Sequence, residues 1–497
     1  MTTLHATPAV ESNPLRRFAR LPGFFAAGAV LIGVAAGILV VRLNQPVYFI
    51  LGVITIAASA LAAFSSEFGV LVLVFMSYTR LSDIVIEYYH APSIAKAYIA
   101  VLALGIFIRW FIFKERPRGW IVPTILLVIY GLIGFASILY SPVPDLVLVK
   151  ASEYVKNAAI TILVIILLQD GRSFRHVIWI LIGVGIFLGT ISTFQYFTHT
   201  FTRSYGGFGQ SSLEQIVGTV DDYRIGGPIG DPNFFAQIMV VLVPISLERV
   251  LHEKRILLRA LALWALGVSF LCVIFSYSRG GLLALAVCLA VWFVINPPRG
   301  IQMPLFILGG VLVLAYAIPP GYYDRVLALG QIFQSQGTLR TSDPSLQGRA
   351  SENLAAWDMF STHPIFGVGW NSYAYLFPFY SKDIGLANVA TQREAHDLYL
   401  EVAAETGVVG LVAFGLILFS SLRVLVRARR QFIQAKLTDY AGMTTAFGVG
   451  FLGYLVAAIF IHGAFLRYFH VLLGIAWGLY LVAQHTLAER SMPPSAN

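Results

Sequence analysis

Charge is scarce in this sequence. Only 12% of its 497 residues are Asp, Glu, Lys or Arg, against roughly 25% in an ordinary soluble domain, so most of the chain cannot be solvated as a globular surface is. Cysteine is nearly missing as well. Cys272 and Cys288 are the two, and both lie inside apolar runs assigned to different helices, which argues against a disulfide framework and makes them packing residues. No Cys/His spacing suits zinc and no Asp-x-Asp pair or close acidic cluster stands out, so no metal site is expected. A phosphate-binding loop of the nucleotide type is also missing, and no other cofactor is expected. There is no internal repeat, low-complexity tract, lipidation box or twin-arginine consensus.

What is present is apolar chain. Hydrophobic residues make up 58% of the sequence and mean hydropathy is +0.76. Runs close to the ~20 residues that cross a hydrocarbon core recur at 24–41, 46–65, 68–79, 95–113, 120–140, 157–169, 176–197, 233–249, 258–277, 281–296, 303–318, 408–425, 442–462 and 468–485. The alternation of a barrel strand is missing, so these runs are read as helices, which satisfy their own backbone in lipid. The expected fold is an all-α polytopic membrane protein of about 12–14 transmembrane helices, with a large, partly helical outer loop before the third-last one. The first run follows Arg16, Arg17 and Arg20 and reaches about Val41, longer than the ~7–15 residues of a signal-peptide core; it reads as a retained anchor.

The net charge of +9 needs a positional test. With the N-terminus in the cytoplasm, the connections that fall inside are KERPRG at 114–119, DGRSFR at 170–175, ERVLHEKR at 248–255 with Arg259, PPRG at 297–300 and RVLVRARRQFIQAK at 423–436. Each is basic, as the positive-inside rule requires. The surplus charge is therefore a topological signal, a nucleic-acid partner loses its support, and both termini are expected in the cytoplasm. The chain then divides into a cytoplasmic tail (1–23), an N-terminal transmembrane bundle (24–197), a first outer loop (198–232), central helices (233–318), a large outer loop (319–407), C-terminal helices (408–485) and a cytoplasmic tail (486–497). Outer loops of such length are functional or disordered as a rule. The second is too rich in aromatics, among them Trp357, Phe366, Trp370 and Tyr373, to be a disordered tail.

Ionisable residues gather at the outer boundary. Arg279 stands between two apolar runs in FSYSRGGLLAL, where a cation is costly unless it has a partner, a function or room to snorkel, and Gly280 and Gly281 would let backbone approach closely, as an anion site requires. In DDYRIGGPIGDPNFFAQ, Gly226, Gly227, Pro228 and Gly230 form turns and Asp231-Pro232-Asn233 caps a helix. Arg224 stands beside them, either functional or paired with Asp221 or Asp222. In the large loop, ASENLAAWDMF reads as a short amphipathic helix with Arg349 near its start, a weak place for a structural cation; STHPIFGVGWNSY reads as turns, with His363 a turn residue. In REAHDLYLEVAAETGVVGLV, Asp397, Glu401 and Glu405 recur four apart on an expected interfacial helix over 397–406, Gly407 ends it in a left-handed turn, and Arg393 and His396 lie at its start. The plain alternative for His396 is a solvated helix start with a capping acid.

Four pieces together resemble the O-antigen ligase and O-antigen polymerase superfamily of bacterial inner membranes: GGPIGDPNFFAQ; SRGGLLAL; R-x7-W-x-x-F-x-x-H-P-I-F-G-V-G-W-N from Arg349 to Asn371; and H-D-x-Y-L-x4-E-T-G-V-V-G-L from His396 to Leu411. The resemblance covers roughly residues 220–415 and rests on the order of pieces that are each loose alone. Asp397 departs from the Asn more usual after the His, though either side chain can cap a helix. The resemblance implies a metal-independent glycosyltransferase of the inner membrane that takes a glycan from undecaprenyl diphosphate at the periplasmic face. It implies His396 as the group that receives or orients the acceptor's proton, with Arg279, Arg224, Arg349 and Arg393 on the diphosphate. The implied partners are the lipid-linked glycan, an acceptor that is a glycan, a lipid A core or a protein, membrane lipids, and a chain-length regulator if the enzyme is a polymerase. A transporter or flippase of lipid-linked glycans is the alternative from another class; it predicts ionisable groups at midspan and pseudo-symmetric halves, whereas charge here collects outside. A related peptidoglycan-polymerising enzyme fits GDPNFFAQ and HPIFGVGW less closely.

Overall fold

The structure, a computed structural model, describes Leu61 and residues 65–217, 220–297, 344–383, 392–462 and 467–491. The runs expected at 24–41 and 303–318, nearly all of 46–65, and most of the PPRG loop lie outside the described residues. Among those residues the elements run α1 (Ser66–Tyr78), α2 (Leu81–Glu87), α3 (Ile94–Phe111), α4 (Ile121–Ala136), α5 (Pro144–Leu167), α6 (Gly171–Phe197), β1 (Gln210–Val217), β2 (Val220–Gly227), α7 (Pro232–His252), α8 (Ile256–Phe275), α9 (Arg279–Ile295), α10 (Pro344–Thr362), α11 (Tyr373–Asp383), α12 (Leu398–Gln434), α13 (Thr438–Ala457) and α14 (Arg467–Ser491).

Eight helices are long and apolar enough to cross a membrane, or up to nine if α1 and α2, bent by 51°, form one span. The fold is therefore polytopic and helical, as the apolar runs predict. Two runs take a different form. The run at 157–169 is the apolar half of the 24-residue α5, whose first half carries Asp145, Lys150, Glu153 and Lys156, and the run at 281–296 lies in the 17-residue α9.

Helix starts are chemically marked. Ser65, Ser93, Asp170, Asp231, Ser278 and Asp397 each accept a backbone N–H of their own first turn, satisfying donors that have no partner within the helix. The centre is α7, buried continuously from Phe234 to Arg249 and packed on α8, α9, α13 and β2. Gln237 donates to the carbonyl of Tyr454 at 3.0 Å and ties α7 to α13, a polar link that a water-free interior makes worthwhile. On the other side α14 packs on α5 and α12.

The first outer loop holds an antiparallel hairpin, β1 with β2, which the turn-and-cap reading of 198–232 did not include. The large loop folds onto the helices through one backbone interlock. Gly407 sits at φ 62° and breaks α12, a conformation that favours glycine, and a Cβ there would lie 2.2 Å from the Ile365 carbonyl oxygen. The break frees carbonyls before it and N–H groups after it, and the His363–Gly369 turn takes up both: Val368 and Gly369 donate to Ala404 and Glu405 at 2.9 and 3.0 Å, and Val408 donates to Pro364 at 2.8 Å. Trp370 then packs edge-on against Tyr130 and Tyr154 at 5.9 and 5.3 Å, and its backbone N–H donates to Ser137 Oγ at 2.9 Å. The turn that follows α10 is thus a clamp fixing α10 and α11 against α4, α5 and α12.

Candidate active site

The ends of α7, α9, α10, α12 and α13 and the strand β2 bring four of the five expected residues into one electrostatic cluster, with Arg393 attached through a shared carboxylate. Arg224, on β2, is 4% exposed. Its Nε donates to the Ser276 carbonyl at 2.8 Å, one terminal nitrogen donates to Asn233 Oδ1 at 3.2 Å and the other pairs with Glu214. The ion-pair partner is thus Glu214 across the hairpin; Asp222 instead accepts from the Tyr277 hydroxyl at 2.6 Å, and the Asp221 side chain lies outside what the structure describes. Three fixed bonds leave the Arg224 guanidinium little rotamer freedom, so its charge is held in place before any ligand arrives.

Arg279 is the first residue of α9, 8% exposed. A cation at the positive end of a helix is electrostatically disfavoured, and burial raises that cost. Gly280 and Gly281 do make a close approach, but to protein: a Cβ on either would meet Phe460 Cβ at 2.6 Å or Ala236 Cβ at 2.7 Å. Their role is therefore to seat the first turn of α9 against α7 and the end of α13, rather than to open room for an anion.

Arg349 lies in the second turn of α10 rather than at its start. Burial and repulsion from Arg279 and Arg224 hold its guanidinium down to about 10, and Glu352 and Asp231 only partly offset them. Three positions on stands Glu352, 3% exposed, whose carbonyl accepts from the Tyr373 hydroxyl at 2.7 Å. Its carboxylate pairs with Arg393 at 3.3 Å and lies 2.9 Å from His396 Nδ1. The Nδ1–H of His396 is better aligned with the Glu394 carbonyl at 3.1 Å, so Oε2 of Glu352 contributes charge at short range without a directed hydrogen bond. With Nδ1 facing these two oxygens, the ring presents Nε2 as the nitrogen with the lone pair.

His396 takes φ 46°, an uncommon backbone for a residue other than glycine, just ahead of the Asp397 cap, which accepts from Tyr399 and Leu400 at 2.9 and 3.1 Å. Burial pushes the Asp397 carboxyl up against the pull of those two bonds. The acids behind it differ from the amphipathic expectation. Glu401 and Glu405 are buried at 4% and 3% exposure, and Glu405 accepts from the Tyr373 N–H at 3.2 Å. They brace the loop from within.

Sequence reasoning missed Glu352 and His462. Glu352 follows Arg349 by three residues, the spacing of one helix face, and that was its available signal. His462 follows the last turn of α13, and its ring stands edge-on to His396 at 5.2 Å and to Phe234 at 5.2 Å. Burial, with His396 adding to it, pushes the His462 imidazole down to about 4, so it is neutral at neutral pH. A lone ionisable group at a span boundary, the test that singled out Arg279, would have found it.

Fold and site together define a polytopic helical membrane protein with a guanidinium cluster and an imidazole pair at one end of its bundle. Residues 264–415 match the model of the O-antigen ligase family, a segment that holds Arg279, Arg349, Arg393 and His396 but not Arg224. The match supports the O-antigen ligase and polymerase superfamily, and with it membrane glycan transfer as the class of activity. No curated protein matches the chain.

Proposed function

We propose that the protein moves a glycan from an undecaprenyl-diphosphate donor to an acceptor hydroxyl at the membrane face that the basic loops assign to the periplasm. The transfer needs no metal ion and inverts the anomeric carbon. One observation carries this reading: Arg224 is held by three bonds beside Arg349, which burial and the charges of Arg279 and Arg224 hold down to about 10, so a dianion here would meet fixed guanidinium charge and ease its repulsion. In the transfer, the acceptor oxygen bonds to the anomeric carbon as the bond to the diphosphate oxygen breaks. The electron pair leaves on that oxygen, where Arg224, Arg279 and Arg349 stabilise it, with Arg393 at the rim. The hydroxyl proton goes to Nε2 of His396.

Glu352 supports the positive charge that then forms on the ring, and His462, kept neutral, does not compete with it. Exposed apolar side chains between the helices, such as Leu139 just after α4 and Phe366 in the turn after α10, suit a polyprenyl tail. A glycan, a lipid A core and a protein hydroxyl all remain within reach of this chemistry as acceptors, and a chain-length regulator would act only in the polymerase case.

The test is reconstitution of the full-length protein with lipid-linked donor and each acceptor offered separately, reading product size. His396→Ala and Arg279→Ala are each expected to lower transfer by about 10²–10⁴-fold with normal insertion and abundance. Normal transfer by both variants removes the site assignment.

A further inference from the structure

At the other end of the bundle, a cavity of about 470 Å³ opens among α3, the loop after it, the end of α5 and α14. Its walls are of two kinds. Ile106, Leu168 and Leu481 line one side, while Arg109, Lys114, Arg116 and Arg118 line the other, with Glu115 the single acid. Such a shape is amphipathic: the apolar wall suits a hydrocarbon chain and the cationic one an anion.

A basic loop at this end is expected from topology alone, so the cations by themselves decide nothing. Two observations go further. Some basic residues at this end are neutralised within the protein: Arg175 pairs with Asp439, and Arg249 with Glu248 and Asp439. No carboxylate among the described residues forms an ion pair with Lys114, Arg116 or Arg118, and their charges face the cavity. The loop is also pinned in a fixed shape. The Glu115 N–H donates to the Arg109 carbonyl at 3.0 Å, Lys114 takes φ 60°, and Gly119, at φ 69°, lies so close to Leu481 that a Cβ would meet its Cδ2 at 2.1 Å. A topological signal needs charge but no such architecture; a binding site needs both.

We infer that this cavity binds one anionic phospholipid of the leaflet it faces, its phosphodiester on the 114–118 cations and an acyl chain along Ile106 and Leu481. Cationic pockets between helices at the cytoplasmic side suit such headgroups, each cation contributing about 1 kcal/mol. The bound lipid would tie α3, α5 and α14 together, far from the transfer site, and the inference stands or falls independently of the reaction proposed there.

The test uses purified full-length protein, delipidated and offered equimolar phosphatidylglycerol and phosphatidylcholine of the same chains, with bound lipids counted by native mass spectrometry. One phosphatidylglycerol is expected to be retained selectively. The Arg116→Gln/Arg118→Gln double variant should bind it about 30-fold more weakly, at about 1 kcal/mol per cation. Ile106→Trp, which fills the apolar wall and keeps every charge, should weaken it too. Free glycerol phosphate at millimolar concentration should leave it in place, because it has no chain for the apolar wall. Undiminished phosphatidylglycerol binding in both variants, no preference over phosphatidylcholine, or full displacement by glycerol phosphate would each overturn the lipid assignment.

Discussion

The two ends of the bundle bury arginine in opposite ways. At the inner-loop end Arg249 is 1% exposed, and Glu248 meets it through two bonds of 2.5 and 2.7 Å, with Asp439 at 2.8 Å and Glu253 at 3.8 Å. That charge is closed within the protein. At the outer end Arg224 has Glu214, but Arg349 has Arg224 and Arg279 as electrostatic neighbours and is held down to about 10. Burial alone therefore does not mark a functional cation. A guanidinium ringed by carboxylates locks helices together, whereas one crowded by other guanidinium groups, as Arg349 is, stores repulsion that an anion can relieve.

The contrast breaks most plainly through stability. Glu248→Ala strips the main partner from a buried guanidinium, and removing one member of such a pair costs about 3–5 kcal/mol. Thermal melting in detergent is expected to drop steeply while the folded fraction keeps its transfer rate. A variant that melts normally but has lost transfer would reverse the roles of the two ends. Next comes Glu352→Gln, which keeps the shape beside His396 and Arg393 but removes the charge. Turnover is expected to fall about 10²-fold with little change in KM for the donor, and Glu352→Asp should recover part of it. Equal turnover in Gln and wild-type proteins would reduce Glu352 to a packing residue.

How far the chain could be read without coordinates follows the same physics. The helices were legible because an apolar run has few alternatives in lipid, and Arg224, Arg279 and Arg349 stood out because a cation beside such runs needs a reason. Asp231 and Gly407 were legible from local rules, capping and left-handed backbone. The hairpin was not: QSSLEQIV carries little apolar alternation, and its pairing with VDDYRIGG is fixed by what it lies against. Nor were the meetings of distant residues. Glu352 reaches Arg393 across 41 positions, and the His363–Gly369 turn completes a broken helix that begins at Leu398. Glu401 and Glu405 misled for a related reason: spacing says which residues share a face but not what that face meets.

Acid is the next probe of the outer end. His462 is pushed to about 4 from an ordinary 6.5, so below pH 6.5 the unfolded chain takes up a proton that the folded protein refuses. Stability is then lost as pH falls from 6.5 toward 4 and levels off below it. His462→Phe should remove about 2 kcal/mol of that acid sensitivity, seen as a flatter melting temperature between pH 7 and 4. An unchanged profile would place His462 in contact with solvent.

The smallest effect separates the two ends most sharply. Arg349 is depressed to about 10, so at neutral pH it is charged in both folded and unfolded chains, and the folded chain bears the cost. That cost is relieved only as pH rises through 10 toward the ordinary arginine range, where the unfolded chain holds the proton that the folded one gives up. Arg349→Gln is therefore expected to stabilise the ligand-free protein at neutral pH, by about 1 kcal/mol once solvent screening is allowed for. Transfer should be lost in the same variant. A lipid-linked diphosphate should raise the melting temperature of the wild-type protein well beyond that of the variant, because the wild type has the added repulsion on Arg349 for the anion to cancel. Arg249→Gln should destabilise at the same pH, since its acids are left facing one another. If Arg349→Gln also melted lower, with or without donor, Arg349 would be as well neutralised as Arg249, and it would have no repulsion for a diphosphate to relieve.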